Sequence, residues 1–414
     1  MREASTSSST DTSDPTATRQ PVDIGVTYWS REVGPYVWHE YDAARTEAEL
    51  RAIQASGHRT VRTHLLWDAF MPTPSRVEPA RQRNFEHFLG VAAELSLQVI
   101  PVLFVQTLGG CLMLPAYAID VDARRPGVRA VTDAVTQPGG PRYVYTDQLM
   151  LEVCARWIDE MLSAFAGHPA IAMWDIGHDP AGGVRPQRIE HLRTWTAMIS
   201  ERIHEREQRC MLSLSADDLV IARAVRPAEV ARLVDVVGVD LGSNALALVG
   251  GVIEPAAATF LAQLGESLTG PAPLYAHLHA REQAVAAGEG AHELDGDTQT
   301  RRFVAGAIDA LVDCGCAGVM AAMWSSPGPR AADVPPFDRR HGLRDAGLVD
   351  ASGAETAFGS VWLEEARRER ERSAPNPWPA HIDVEDYYAN LPESLHELRA
   401  AWERGSSEYP AMLR

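Results

Sequence analysis

Residues 94–105, ELSLQVIPVLFV, and residues 313–324, DCGCAGVMAAMW, carry the reading of the fold. Each starts at the polar end of an amphipathic segment, crosses one or two small or polar residues, and enters a nearly unbroken apolar run. A strand buried on both faces reads this way, whereas a strand with one wet face alternates apolar and polar residues. Working outward from Gln98–Val105 and Gly318–Trp324, six further runs of this kind are Ile24–Tyr28, Thr60–Leu66, Ala170–Ile176, Cys210–Leu214, Val234–Asp240 and Pro273–Leu278. The stretches between them, among them Thr46–Ala55, Arg83–Leu95, Tyr145–Ala166, Arg188–Glu207, Ala256–Leu268 and Thr298–Val312, repeat apolar residues at i, i+3, i+4 and i+7, the helical pattern. Eight β/α units in one chain predict an α/β fold, a closed (β/α)8 TIM barrel with a parallel sheet.

The remainder of the 414 residues divides around that barrel. Residues 1–20 are rich in Ser, Thr and Asp and lack an apolar segment, so they read as a disordered tail and not as a secretion or transit signal. The barrel is expected over 21–372. Residues 373–414 begin as a proline-broken linker and end in an amphipathic helix whose Leu395, Leu398 and Trp402 share one stripe, expected to pack on the barrel.

Composition removes several function classes. The formal net charge is −18, from 38 basic and 56 acidic residues, which speaks against nucleic acid and anionic membrane surfaces as partners. Every basic residue is arginine. Without lysine there is no Schiff base, no pyridoxal phosphate anchor and no P-loop lysine, and no cofactor is expected. The five cysteines, Cys111, Cys154, Cys210, Cys314 and Cys316, are scattered and imply no disulfide framework; Cys314-Gly-Cys316 is too tight for a zinc knuckle. No apolar run reaches the roughly 18 residues of a membrane span. The expected location is the cytoplasm, and the oligomeric state is left open.

Barrels of this kind place functional groups at the C-terminal ends of their strands. Those ends here are Tyr28-Trp29-Ser30, Trp67-Asp68, Gln106-Thr107, Gly177-His178-Asp179-Pro180, Ser213 to Asp218, Asp240-Leu241-Gly242, His277-Leu278-His279 and Trp324-Ser325-Ser326. Trp29, Trp67 and Trp324 offer flat apolar platforms for sugar rings. Arg62, His178, Asp179, Asp240 and His277 offer hydrogen bonds to hydroxyls.

The segments GVTYWSREVGPYVWHEYD (25–42), GHRTVRTHLLWDAFMPTPSRVEPARQRNFEHFLGVAAELSLQVIPVLF (57–104), WDIGHDP (174–180) and MAAMW (320–324) resemble the clan-A cellulase-family glycoside hydrolases, in particular a mannanase-like actinobacterial branch. The resemblance spans roughly Asp23 to Ala366. It implies a retaining mechanism in which a Glu after the fourth strand is acid/base and a Glu ending the seventh is nucleophile, about 5–5.5 Å apart. Residue by residue, the family's Trp-Asp-Leu-Gly-Asn-Glu-Pro becomes Trp174-Asp175-Ile176-Gly177-His178-Asp179-Pro180, so Asp179 takes the acid/base position and His178 that of the sugar-holding Asn. The family's Glu-Glu-Phe-Gly becomes His277-Leu278-His279-Ala280, which puts Leu278 at the nucleophile position. Arg62, which in the family orients the nucleophile, is kept, as is Trp324.

A leucine cannot attack an anomeric carbon, and an aspartate in place of glutamate withdraws its carboxyl by one methylene. The expectation is therefore a glycoside-hydrolase-like barrel that recognises a carbohydrate or glycosylated ligand and hydrolyses it slowly or not at all. Two other readings stay open. One is an active O-glycosidase using Asp179 with a misaligned nucleophile, Glu282 being the nearest carboxylate. The other is a metal-dependent hydrolase using His178, Asp179, Asp240, His277 and His279. Period-two alternation sets a condition on the last: if Leu278 faces the mouth, His277 and His279 face away from it.

Overall fold

The computed structural model describes residues 21–105, 107–123, 127–249, 255–279 and 296–405. Eight described strands close into a parallel barrel: β1 (Asp23–Tyr28), β2 (Thr60–His64), β3 (Gln98–Val105), β4 (Trp174–His178), β5 (Cys210–Ser215), β6 (Val236–Leu241), β7 (Leu274–Leu278) and β8 (Gly318–Ala321). Each strand pairs with the next in sequence, and β1 closes the ring on β8 with Asp23 opposite Gly318. The expected (β/α)8 fold is met. The largest displacement is at β4, which starts at Trp174 and not at Ala170. The residues before it already join the sheet through one bridge, Val99 to Ile171.

Helices α1 (Ala43–Ala55), α2 (Pro79–Glu94), α3 (Gln148–Phe165), α4 (Ile189–His204), α5 (Pro227–Ala231), α6 (Pro255–Thr269), α7 (Gly296–Asp313) and α8 (Ala357–Ala366) follow the strands in turn. Their starts are written locally. Asp42 and Asp147 each accept a hydrogen bond from the backbone N–H three residues on, at 2.9 and 3.1 Å, and such caps contribute about 1 kcal/mol each. In α3 the buried residues Met150, Val153, Cys154, Trp157, Ile158, Met161, Leu162 and Phe165 repeat with the helical period and face the barrel.

Alternation along the strands sorts the barrel interior into layers. The lowest is apolar, formed by Ile100, Met173, Met211, Val236, Tyr275 and Met320. Two residues further along the strands, Arg62, Asp175, Ser213, Gly238 and His277 form a polar layer; a further step reaches His64, Asp240 and His279. Gly238 is required where it sits, because a Cβ there would lie 2.5 Å from Ser213 Oγ and 2.9 Å from His277 Nε2.

Between β3 and α3 the chain inserts a small sheet built from Thr107–Leu108, Cys111–Met113, Arg129–Thr132 and Val135–Gln137. Beyond α8, helix Glu393–Glu403 lies against α6, and the hydroxyls of Tyr387 and Tyr388 in helix Val384–Ala389 donate to the Leu219 and Asp218 carbonyls. Leu395 and Leu398 are buried, and Trp402 donates to Gln263 at 2.7 Å and meets the Phe260 ring edge-on. Residues 1–20 and Glu282 lie outside the described residues.

Candidate functional site

At the C-terminal mouth, Trp29, Arg62, His64, His178, Asp240, His277 and His279 line one cavity of about 50 Å3, roofed by Leu108, Gly109, Met323 and Leu343. The polar layer beneath it holds these groups in place. Arg62, 1 % exposed, gives Asp175 two hydrogen bonds, from Nε at 2.9 Å and from Nη2 at 2.6 Å. Asp175 also accepts from Ser213 Oγ at 2.7 Å and from the Gly177 N–H at 3.1 Å. Arg62 and Asp175 thus neutralise each other at the floor of the site, fully buried.

From that pair the network climbs two walls. On one, Trp29 donates its indole N–H to His64 Nδ1 at 2.8 Å, and Arg62 Nη1 reaches His64 Nε2 at 3.1 Å. Donors face both ring nitrogens, so an imidazolium here would have no acceptor for either N–H. On the other wall, Arg62 Nη2 reaches His178 Nδ1 at 3.4 Å, while His277 Nε2 lies 3.3 Å from Ser213 Oγ. His178 arrives there through a bulge: β4 and β5 slip register between Asp175 and His178, so both side chains turn inward although three positions apart. Asp240 sits between two imidazoles, 2.8 Å from His279 Nε2 and 3.8 Å from His178 Nε2.

The electrostatics follow. Burial, aided by the Arg62 charge, pushes His178 down to about 3 and holds His64 and His277 well below the ordinary histidine value. Burial alone would raise Asp240, but the charge and hydrogen bond of His279, with His178 and His277 behind, hold it below the usual carboxylate range. The lining therefore presents one compensated ion pair, Arg62 with Asp175, and three imidazoles that burial holds toward the neutral form. Each neutral imidazole carries one donor and one acceptor. His277 Nδ1 is buried in this lining and has no hydrogen-bond partner among the described residues.

Arg62, His178, Asp240, His277 and Trp29 come together as the sequence suggested, and four other expectations are corrected. Leu278 does not face the mouth: His277 and His279 share the inward face of β7, and Leu278, fully buried, points outward into the layer between barrel and helices. Trp67 lies under the inserted sheet, edge-on to Phe104 and Tyr117, in an apolar cavity with Leu114 and Met150. Trp324 stands three residues past the end of β8 and turns outward, edge-on to His58; Ala322 and Met323 line the mouth in its place. Asp179 adopts a left-handed conformation, φ 48°, and caps the short helix Pro180–Gly183. Its carboxylate accepts from Gly182 N–H at 2.8 Å and from the Thr107 hydroxyl at 2.8 Å. Burial and the neighbouring charge of Asp218 lift it to about 7.

Sequence reasoning missed His64, Asp175 and Ser213 as parts of the site. Counting in twos from Arg62 reaches His64, and that signal was available. Among the described residues, no three of the mouth's His and Asp side chains bring ligand atoms within 4.8 Å of one another. Among the described residues, the one group of three ligand-type side chains with atoms within 4.8 Å of one another is His204, Cys210 and Asp235, at the other end of the barrel.

The barrel has the fold of the GH5_18 glycoside hydrolases. A GH5_18 from Streptomyces cattleya in complex with GlcNAc superposes with TM-score 0.72 at 17 % identity, over 94 % of this chain and 93 % of that one. A GH5_18 from Bifidobacterium longum subsp. infantis gives 0.71 at 17 % identity, over 86 % and 81 %. The exo-β-1,4-mannosidase Op5Man5 from Opitutaceae bacterium strain TAV5 gives 0.66 at 17 % identity, over 84 % of this chain and 59 % of that one. At these identities the likeness is one of fold. No family model matches the chain, and no curated protein matches it.

Proposed function

We propose that this glycoside-hydrolase-like barrel is a carbohydrate-recognition protein whose mouth binds a neutral sugar and hydrolyses glycosidic bonds slowly or not at all. The observation that carries this reading is the lining itself: among the described residues its one carboxylate, Asp240, is held by the His279 imidazole at 2.8 Å. Retaining hydrolysis needs two carboxyls about 5–5.5 Å apart across the scissile bond. Asp179, which the family resemblance puts at the acid/base position, spends both oxygens on Thr107 and Gly182. The neutral imidazoles of His178 and His277 and a compensated Arg62 suit hydroxyl groups, which both donate and accept, better than a charged ligand.

A cavity of about 50 Å3 is far below the roughly 300–1,000 Å3 of small-molecule sites. A sugar ring therefore enters only when the roof of Leu108, Gly109 and Leu343 parts. Because GH5_18 structures from Streptomyces cattleya hold Manβ1-4GlcNAc and GlcNAc, these are the first probes. Calorimetric titration of the full chain with both is expected to give heat, and overnight incubation with Manβ1-4GlcNAc to release no GlcNAc. Release that disappears in Asp179→Ala would establish an active glycosidase and overturn the inactive reading. No heat with either probe, nor with gluco- or galacto-configured disaccharides, would overturn the recognition reading.

A further inference from the structure

The end of the barrel opposite the mouth holds a second set of ligand-type side chains, drawn from three elements. His204 closes α4, Cys210 opens β5, and Asp235 stands just before β6. His204 Nε2 lies 3.0 Å from Asp235 Oδ2 and 3.5 Å from Cys210 Sγ. We propose that His204, Cys210 and Asp235 form a binding site for a zinc-class divalent cation that clamps α4, β5 and β6 together at the base of the barrel.

The geometry fits the chemistry. Imidazole nitrogen, thiolate sulfur and carboxylate oxygen are the ligand types that zinc takes. Bonds of about 2.0–2.3 Å at tetrahedral angles put neighbouring ligand atoms about 3.3–3.6 Å apart. The His204–Asp235 and His204–Cys210 separations need only a few tenths of an ångström of adjustment. The ligands are also preorganised. The Cys210 N–H donates to Asp235 Oδ2 at 2.8 Å, which holds the carboxylate over the thiol. Cys210 is fully buried, while the side chains of His204 and Asp235 are 43 % and 36 % exposed, so an ion approaches from solvent and water completes the fourth position. Arg209, whose charge acts on Asp235, offsets part of the ligand set's negative charge.

Binding forms a sulfur–metal bond and breaks the Cys210 S–H bond, its proton leaving to solvent; nothing is oxidised or reduced. One proton is released per ion bound, and affinity rises with pH.

The test uses the full chain and cobalt(II) alone, with zinc(II) as competitor. One equivalent of cobalt should bring up a near-ultraviolet thiolate-to-cobalt charge-transfer band, which zinc removes. Cys210→Ser should abolish the band. His204→Gln, at a partly exposed helix end where the fold tolerates the change, should weaken cobalt binding at least about tenfold, the scale expected when a ligand or its support is lost. Zinc should raise the thermal midpoint of the native protein and leave that of His204→Gln unmoved. Absence of the band, its survival in Cys210→Ser, or equal affinity in His204→Gln would each overturn the proposal.

Discussion

Replacing Asp175 by alanine tests the architecture of the mouth most directly. Asp175 has no exposed surface and receives four hydrogen bonds: two from Arg62, one from Ser213 and one from the Gly177 N–H. Removing it strands a guanidinium that is 1 % exposed at the floor of the barrel mouth. Breaking a buried ion pair from one side costs about 3–5 kcal/mol. The two other donors lose their acceptor as well, and unsatisfied buried donors cost about 1–3 kcal/mol each. A loss of at least about 3 kcal/mol is therefore expected. Urea unfolding monitored by tryptophan fluorescence measures it as a fall in midpoint at unchanged slope. The pair itself is not a large net gain, since burial raises the Asp175 pKa in spite of Arg62. The double variant Arg62→Met/Asp175→Leu should accordingly recover most of the loss. A loss below about 1 kcal/mol in Asp175→Ala, or a double variant no better than the single one, would refute the reasoning.

Two further outcomes follow from neighbouring groups. Asp179 titrates near 7 in the folded chain against 3.8 unfolded. The folded state therefore holds its proton more tightly, and the stability this contributes is full below pH 3.8 and lost as pH rises through 7. Asp179→Asn should gain on the native protein in unfolding experiments at pH 8 relative to pH 5, and a constant difference would contradict this. At the roof, Arg129 of the inserted sheet forms a bidentate pair with Asp338, at 2.6 and 2.7 Å, tying that sheet to the segment that carries Leu343. Asp338→Ala should raise the association rate of whichever sugar binds in stopped-flow titration; an unchanged rate would show that this pair does not hold the roof shut.

The barrel was legible because its strands are buried on both faces. A run such as Gln98–Val105 announces itself without reference to anything distant, and its bounds were met to the residue. The mouth was half legible. Residue types at strand ends located Trp29, His178, Asp240 and His277, and the family resemblance located Arg62. Side-chain direction depends on one register choice per strand, and a slip of one residue exchanges inside for outside. At β7 the resemblance put Leu278 inward, whereas the hydrogen bonds of His277 and His279 turn the strand the other way. At β4 the bulge adds a position no periodic count supplies. Trp67 and Trp324 stand just past their strands, where the chain has already turned and alternation no longer applies.

Ring closure also sets a waiting time on biosynthesis. β1 finds its second neighbour only when β8 has been made, roughly 300 residues later, and Val22 donates its N–H to the Arg370 carbonyl further on still. At ribosomal speeds of about 5–20 residues per second, that leaves the nascent first strand with one bare flank for some tens of seconds. A cell making this protein must shield that flank from other emerging chains until the last strand is released.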